Sequence, residues 1–232
     1  MDRTTLAKYL DFANHHPEAS YQDIKFICDQ VAEQGFNAAF MNPFYVVFAR
    51  KYIQENLKKE IKIGTVIDFP LGQETLEVKI SSSLEAVKNG IDEIDVATNT
   101  SLLISDQYDQ YFEELSQIVN KVKSQKKEVI VKFIIETGLI NSERQIKAAA
   151  EMILRSGADF VKICSGMGPR GASLKDVELV KSEVGEKIKI KVAGGIDTLK
   201  EAMDFIETGV SRIGTSKALE IIKNFNDSGK LK

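Results

Sequence analysis

Three lysines and an aspartate stand where chains rarely put charge, each flanked by branched apolar residues. Lys162 lies in Asp159-Phe160-Val161-Lys162-Ile163-Cys164 and Lys191 in Lys187-Ile188-Lys189-Ile190-Lys191-Val192-Ala193. Asp95 lies in Glu93-Ile94-Asp95-Val96-Ala97, and Lys132 sits between Val131 and Phe133. Runs of this composition read as strands, whose successive side chains point to opposite faces. If Ile94, Val96, Val129, Val131, Phe133, Val161, Ile163, Ile188, Ile190 and Val192 share one face, then Asp95, Lys132, Glu136, Lys162, Lys189 and Lys191 share the other. An unpaired interior charge is prohibitively costly, and even a paired one seldom adds stability. Chemistry is therefore the stronger explanation, with structural ion pairs at a rim as the alternative.

A lysine amine becomes nucleophilic near neutral pH when burial or a neighbouring cation lowers its pKa, and it can then form a Schiff base with a carbonyl. Lys162 and Lys191 on consecutive strands supply that pair, and Asp95 supplies a carboxylate to move protons. These are the parts of a class I aldolase, which works through the covalent lysine without a cofactor. The only two histidines, His15 and His16, are adjacent in a loop and too few for a metal-dependent mechanism. They read as a solvated loop feature, with substrate contact as the lesser alternative. Backbone N–H groups at Gly166, at Gly194 and Gly195, and at Gly214, Thr215 and Ser216 can bind an anion, although each glycine alone reads equally as a turn.

The elements that must hold these residues alternate short branched runs with longer amphipathic ones, the mark of repeated βα units. Eight strands are predicted, over 9–13, 37–42, 62–68, 93–99, 128–136, 159–165, 188–194 and 212–216. Ser20-Tyr21-Gln22-Asp23 has the form of a helix-starting capping box, and Gly35, Gly90, Gly157, Gly185 and Gly209 each follow a periodic segment as a helix-ending glycine would. A further short helix, about 4–8, precedes the first strand and is expected to cap one end. The pattern predicts an α/β fold, a (β/α)8 TIM barrel with a short N-terminal capping helix, formed by residues 1–232 as a single domain. A doubly wound open sheet shares the alternation, but the dinucleotide fingerprint is absent after the first strand.

Composition narrows the partners. The chain has 232 residues, 43% of them hydrophobic, and 31 basic against 34 acidic residues, with no long run of one sign. A nucleic-acid or membrane partner is not expected; a small diffusing substrate is. No run of about 18 apolar residues is present to span a bilayer. With Cys28 in a helical pattern and Cys164 in a strand pattern, a disulfide framework is not expected, and the cytoplasm is the expected location. A homodimer is the expected assembly only in so far as barrel enzymes commonly form one.

Taken together, Thr65-Val66-Ile67-Asp68-Phe69-Pro70-Leu71-Gly72, Glu93-Ile94-Asp95-Val96, Val131-Lys132-Phe133-Ile134-Ile135-Glu136-Thr137-Gly138, Asp159-Phe160-Val161-Lys162 and Ile190-Lys191-Val192-Ala193-Gly194-Gly195 resemble the deoxyribose-phosphate aldolase family. The match keeps its order and spacing from about Leu6 to Ser216. The resemblance implies that Lys162 is the Schiff-base lysine, Lys191 the lysine that depresses its pKa and Asp95 the proton-relaying aspartate, with Asp11 and Lys132 as further polar positions of the interior. It also implies reversible cleavage of 2-deoxy-D-ribose 5-phosphate to acetaldehyde and D-glyceraldehyde 3-phosphate.

The departures fall around the substrate. Asp11-Phe12-Ala13 stands where the family reads Asp-His-Thr, Phe40 where it has cysteine, and Val192 where it has proline. Asp68 replaces a small or neutral residue and is expected to put a negative charge at the mouth. Met167 stands where a phosphate-site lysine is expected, and Lys217 is the residue expected to compensate. The tail 224–232 lacks the terminal tyrosine of some members. Retained chemistry with altered contacts leaves two alternatives open. One is a Schiff-base aldolase or isomerase for another phosphorylated sugar; the other is a sugar-phosphate-binding barrel without turnover.

Overall fold

The computed structural model describes residues 1–228; Gly229, Lys230, Leu231 and Lys232, the end of the tail read above, lie outside the described residues. Eight parallel strands close into a barrel in sequence order: β1 Leu10–Asn14, β2 Ala38–Met41, β3 Lys62–Ile67, β4 Glu93–Ala97, β5 Ile130–Ile135, β6 Phe160–Ile163, β7 Lys189–Ala193 and β8 Arg212–Thr215. Closure is made by β1 on β8, where Leu10 faces Ile213 and Asp11 faces Gly214. This settles the barrel against the open sheet, and each predicted strand overlaps an observed one. The observed strands are mostly shorter, because the loop residues that continue a strand's apolar pattern leave the ladder.

Ten helices are described: α1 Arg3–Tyr9, α2 Tyr21–Gln34, α3 Val46–Tyr52, α4 Leu76–Lys88, α5 Thr100–Ile104, α6 Tyr108–Gln125, α7 Glu143–Arg155, α8 Leu174–Val184, α9 Leu199–Glu207 and α10 Ala218–Ser228. The predicted short helix is α1; it starts at Asp2, whose side chain accepts from the Thr5 N–H, and it buries Leu6 and Ala7. Ser20 and Asp23 form the predicted capping box of α2, and the same reciprocal bonds start α8 at Ser173 and α9 at Thr198. Each such cap satisfies backbone donors that no helical carbonyl can reach, a contribution of about 1 kcal/mol. No described helix is long and apolar enough to cross a membrane. Cys28 and Cys164 are both free and buried.

The alternation read from sequence is the alternation found. Ile94, Val96, Val131, Phe133, Val161, Ile163, Ile190 and Val192 join the apolar layer between strands and helices. Each such side chain contributes about 1.5–3 kcal/mol when fully buried. Asp95, Lys132, Lys162 and Lys191 project the other way and are buried in the barrel axis. Two of the expected inward charges lie elsewhere. Lys189 is exposed at the N-terminal end of the barrel, its Nζ 5.6 Å from the Phe160 ring centroid. Glu136 lies beyond the end of β5, and its Oε2 accepts from the Ser165 N–H at 3.0 Å.

A second buried charge cluster fixes the wall between α4 and α6. Lys79 is fully buried; its Nζ lies 2.9 Å from Glu114 Oε1 and 3.3 Å from Asp68 Oδ2, and it donates to the Gly72 and Ala97 carbonyls at 3.0 and 3.2 Å. The Asp68 backbone adopts a left-handed φ of 51°, and its Oδ2 also accepts from the Glu74 N–H at 3.0 Å. The expectation of a free negative charge at the mouth is corrected: Asp68 turns into the wall because Lys79 needs a counter-charge there. Substituting Lys79→Met strands two carboxylates in that wall. It should cost about 3–5 kcal/mol and lower the melting temperature by roughly ten degrees, as circular dichroism would register. A loss under about 1 kcal/mol would refute the assignment.

Candidate active site

The strand register decides which charges meet. Lys162 pairs in register with Lys191, Lys132 with Asp95, and Asp11 with Gly214. Across the axis these side chains converge. Asp95 Oδ2 lies 2.9 Å from Lys162 Nζ and 2.8 Å from Lys191 Nζ, while its Oδ1 accepts from Lys132 at 2.9 Å. Lys191 also reaches Asp11 Oδ2 at 2.7 Å, and Lys132 reaches Glu93 Oε2 at 2.6 Å. Three lysines thus face three carboxylates. Asn37, donating to Asp11 Oδ1 at 2.7 Å, and Arg212, 3.7 Å from the same oxygen, close the network towards the N-terminal end.

The electrostatics differ along this chain of contacts. Burial would raise the Asp95 carboxyl, but Lys132, Lys162 and Lys191 overcome it and hold Asp95 well below the usual carboxylate range. Glu93, likewise opposed by burial, is drawn down to about 2 by Lys132. Lys132 goes up, since Asp95 and Glu93 outweigh its burial. Lys162 is pushed down: burial acts first, Asp95 resists, and the cations of Lys191 and Lys132 add to the depression. Its proton is thus held less tightly than that of Lys132.

Lys162 and Lys191 form the floor of a cavity of about 240 Å³ at the C-terminal end of the barrel, with room for a small molecule. Phe40 seals it from below, its ring 3.7 Å from Lys191 Nζ and 4.8 Å from Lys132 Nζ. That ring fits because its neighbour in register is Gly64, where an added Cβ would lie 2.2 Å from the Phe40 ring. Phe40 and Gly64 are thus a matched pair, and the Phe40 ring fills the space beneath the ammonium groups of Lys191 and Lys132.

Gly166, Gly194, Gly195, Gly214 and Ser216 all line the cavity, but they do different work. Gly194, at φ 84°, lets two loops touch, since a Cβ there would lie 2.8 Å from Gly166 Cα and 3.0 Å from Gly171 Cα. Gly214 makes space for Lys191, whose Cε would be 3.1 Å from an added Cβ. Lys217 is not brought in: its Nζ turns 3.6 Å from Glu220, and its backbone N–H is held by Thr215 Oγ1 at 2.9 Å. The proposed compensation for Met167 is therefore absent from this geometry.

His15, Phe69 and Asp197 line the cavity although sequence reading did not favour them for the site. His15 is half-buried and packs against Phe69, ring centroids 5.1 Å apart, which corrects its assignment to a solvated loop. Burial, then the Lys162 cation, lowers its pKa to about 3, so it presents an uncharged imidazole to the cavity. Phe69 flanks Lys162, whose Nζ is 5.7 Å from its ring centroid. Asp197, exposed at the rim, is the third. All three sit on loops, where no periodicity reports side-chain direction; the adjacency of His15 and Phe69 to strand ends was the available signal.

Comparison with known proteins places this geometry. The sequence model of the DeoC/LacD family aldolases matches residues 1–217. A deoxyribose-phosphate aldolase of Caldanaerobacter subterraneus subsp. tengcongensis is 38% identical over 224 residues, covering 97% of this chain and 95% of that one. Among solved structures, an aldolase named QR15 superposes with a TM-score of 0.88 at 35% identity, covering 97% of this chain and 98% of its own. The deoxyribose phosphate aldolase of Aeropyrum pernix, described as a tetramer, gives 0.89 at 28% identity over 98% of this chain and 93% of its own.

The geometry makes Lys162 reactivity depend on Lys191. Substituting Lys191→Leu deletes a cation that depresses Lys162 and leaves the Asp95 contact that raises it. The Lys162 pKa should then rise, less free amine exist at neutral pH, and the pH profile for reductive alkylation of Lys162 shift to the alkaline side. A rate roughly tenfold lower near neutral pH is expected; peptide mass mapping showing an unmoved profile would refute the coupling.

Proposed function

The chain belongs to the DeoC/LacD aldolase family, and from that premise we propose that it reversibly cleaves 2-deoxy-D-ribose 5-phosphate to acetaldehyde and D-glyceraldehyde 3-phosphate through a Schiff base on Lys162. The observation that carries the reading is the bridge Lys162, Asp95, Lys191, with one carboxylate oxygen within 2.9 Å of both ammonium groups at the floor of the cavity.

In this reading the free Lys162 amine adds to C1 of the open-chain sugar, and Asp95 passes the proton that lets the carbinolamine lose water. The resulting iminium draws in the electrons of the C2–C3 bond. As that bond breaks, the C3 hydroxyl gives up its proton and becomes the carbonyl of glyceraldehyde 3-phosphate. The enamine left on Lys162 takes a proton at C2, and water releases acetaldehyde and the amine. No step calls on a metal or an organic cofactor. His15, being uncharged, can hydrogen-bond a substrate hydroxyl without adding to the charge around Lys162. Backbone N–H groups of Gly166, Gly195 and Ser216 are the groups proposed to meet the phosphate.

Assembly as a homodimer is proposed to use the aromatic patch where α2 meets α3. Tyr21, Phe44 and Val47 are 49, 73 and 58% exposed there, and the Tyr21 ring packs 6.1 Å from that of Phe44. Contiguous apolar surface of this kind marks an interaction site. Substituting Phe44→Glu should halve the molar mass by light scattering, and an unchanged mass would move the interface elsewhere.

Borohydride trapping with 2-deoxyribose 5-phosphate or acetaldehyde, read by peptide mapping, tests the mechanism. A reduced adduct on Lys162, absent from Lys162→Met, is the expected result. A folded protein that yields no adduct with either compound, or yields it on another lysine, would overturn the assignment.

A further inference from the structure

The cavity has two unlike ends. Its only lysines are on the floor, where Lys162 and Lys191 are already matched by Asp95 and Asp11. Its rim is built by the loops after β6, β7 and β8, and among the described lining residues it contains no lysine or arginine. The cations nearest in sequence to that rim are engaged elsewhere. Arg170 holds Asp176 at 2.6 Å and donates to the Thr137 carbonyl, Lys200 holds Asp204 at 2.6 Å, and Lys217 turns to Glu220. What the rim does carry is a carboxylate. Asp197 is exposed and makes no described ion pair; the capping of α9 is done by Thr198 and Glu201, with Glu201 accepting the Asp197 backbone N–H at 2.9 Å.

We propose that this rim selects for an uncharged acceptor end, so that the chain cleaves the unphosphorylated 2-deoxy sugar nearly as well as its 5-phosphate. This rests on the aldolase reading above and adds the class of substrate. A phosphate close to doubly charged gains most from charge-assisted bonds, which are roughly twice as strong as neutral ones. At the loops after β6, β7 and β8 it meets neutral backbone N–H groups and a carboxylate of its own sign; the lining histidines, His15 and His16, lie apart on the loop after β1. A polyol end meets the same N–H groups, Ser165 and Ser216, without repulsion. The floor that forms the Schiff base is indifferent to the choice, because C1 of both sugars is the same aldehyde.

The test is the ratio of kcat/KM for 2-deoxyribose 5-phosphate to that for 2-deoxyribose, measured on the whole chain at about pH 8. A ratio below about tenfold is expected, and a larger one overturns the proposal, since even one charge-assisted phosphate contact supplies roughly that much. Inorganic phosphate should inhibit cleavage of the free sugar only weakly. Substituting Asp197→Arg, at an exposed position that caps nothing, should raise the ratio at least about tenfold through a lower KM for the phosphorylated sugar; an unchanged ratio in the folded variant also overturns it. Failure to cleave either sugar would instead defeat the aldolase reading, and the proposal with it.

Discussion

The structure depends on one carboxylate. Asp95 is fully buried and touches three ammonium groups, each within 2.9 Å. Desolvating an ion costs several kcal/mol, and a pair at that distance recovers about 6 kcal/mol at an effective dielectric of about 20. Two of these contacts balance the burial of Asp95; the third is the one that can be given up. With all three lysines charged, the axis balances Asp11, Glu93 and Asp95. Releasing the Lys162 proton leaves one negative charge in excess, which Arg212 beside Asp11 and Lys62 beside Glu93 are placed to offset. Lys132 is pinned by two carboxylates and Lys191 bridges Asp95 and Asp11, whereas Lys162 has only Asp95. The lysine with fewest partners is the one poised to become an amine.

Apolar side chains set the strength of that effect. Burial is the largest cause of the shift at Lys162, ahead of any neighbouring charge. The Phe40 ring therefore acts on the chemistry by excluding water beneath Lys191 and Lys132, and Gly64 acts by leaving room for that ring. A Phe40 ring opposite alanine would clash, and a small residue opposite Gly64 would leave a void or admit water. Either change would weaken the desolvation that pushes the Lys162 pKa down.

Sequence made Lys162, Lys191, Asp95 and Lys132 legible because strand periodicity is a geometric rule, and a charge inside an apolar alternation stands out under it. The same rule says nothing about depth. Lys189 obeys the alternation yet lies low enough in the barrel for its amine to reach solvent. It also ends with the strand: Glu136 keeps the parity of β5 but turns to the Ser165 N–H. Lys79 was illegible for another reason, since a lysine on an amphipathic helix reads as solvated unless its partners, Asp68 and Glu114, are known from the fold. His15, Phe69 and Asp197 lie on loops, where side-chain direction follows packing and not period.

This division of legibility is also a division of constraint. Floor residues answer to the barrel, because each inward charge must find its partner in a closed register and a single change strands another ion. Rim residues answer mainly to solvent and ligand. Met167, Asp197 and Lys217 can change without exposing a buried charge, since their side chains have solvent on at least one side. Screening reinforces the separation: an exposed charge acts weakly across more than about 10 Å of salt solution, while buried ions couple strongly at contact. The amine at the floor and the recognition at the rim can therefore diverge independently in a single barrel. The departure at Met167 leaves the Lys162, Asp95 and Lys191 bridge untouched for that physical reason.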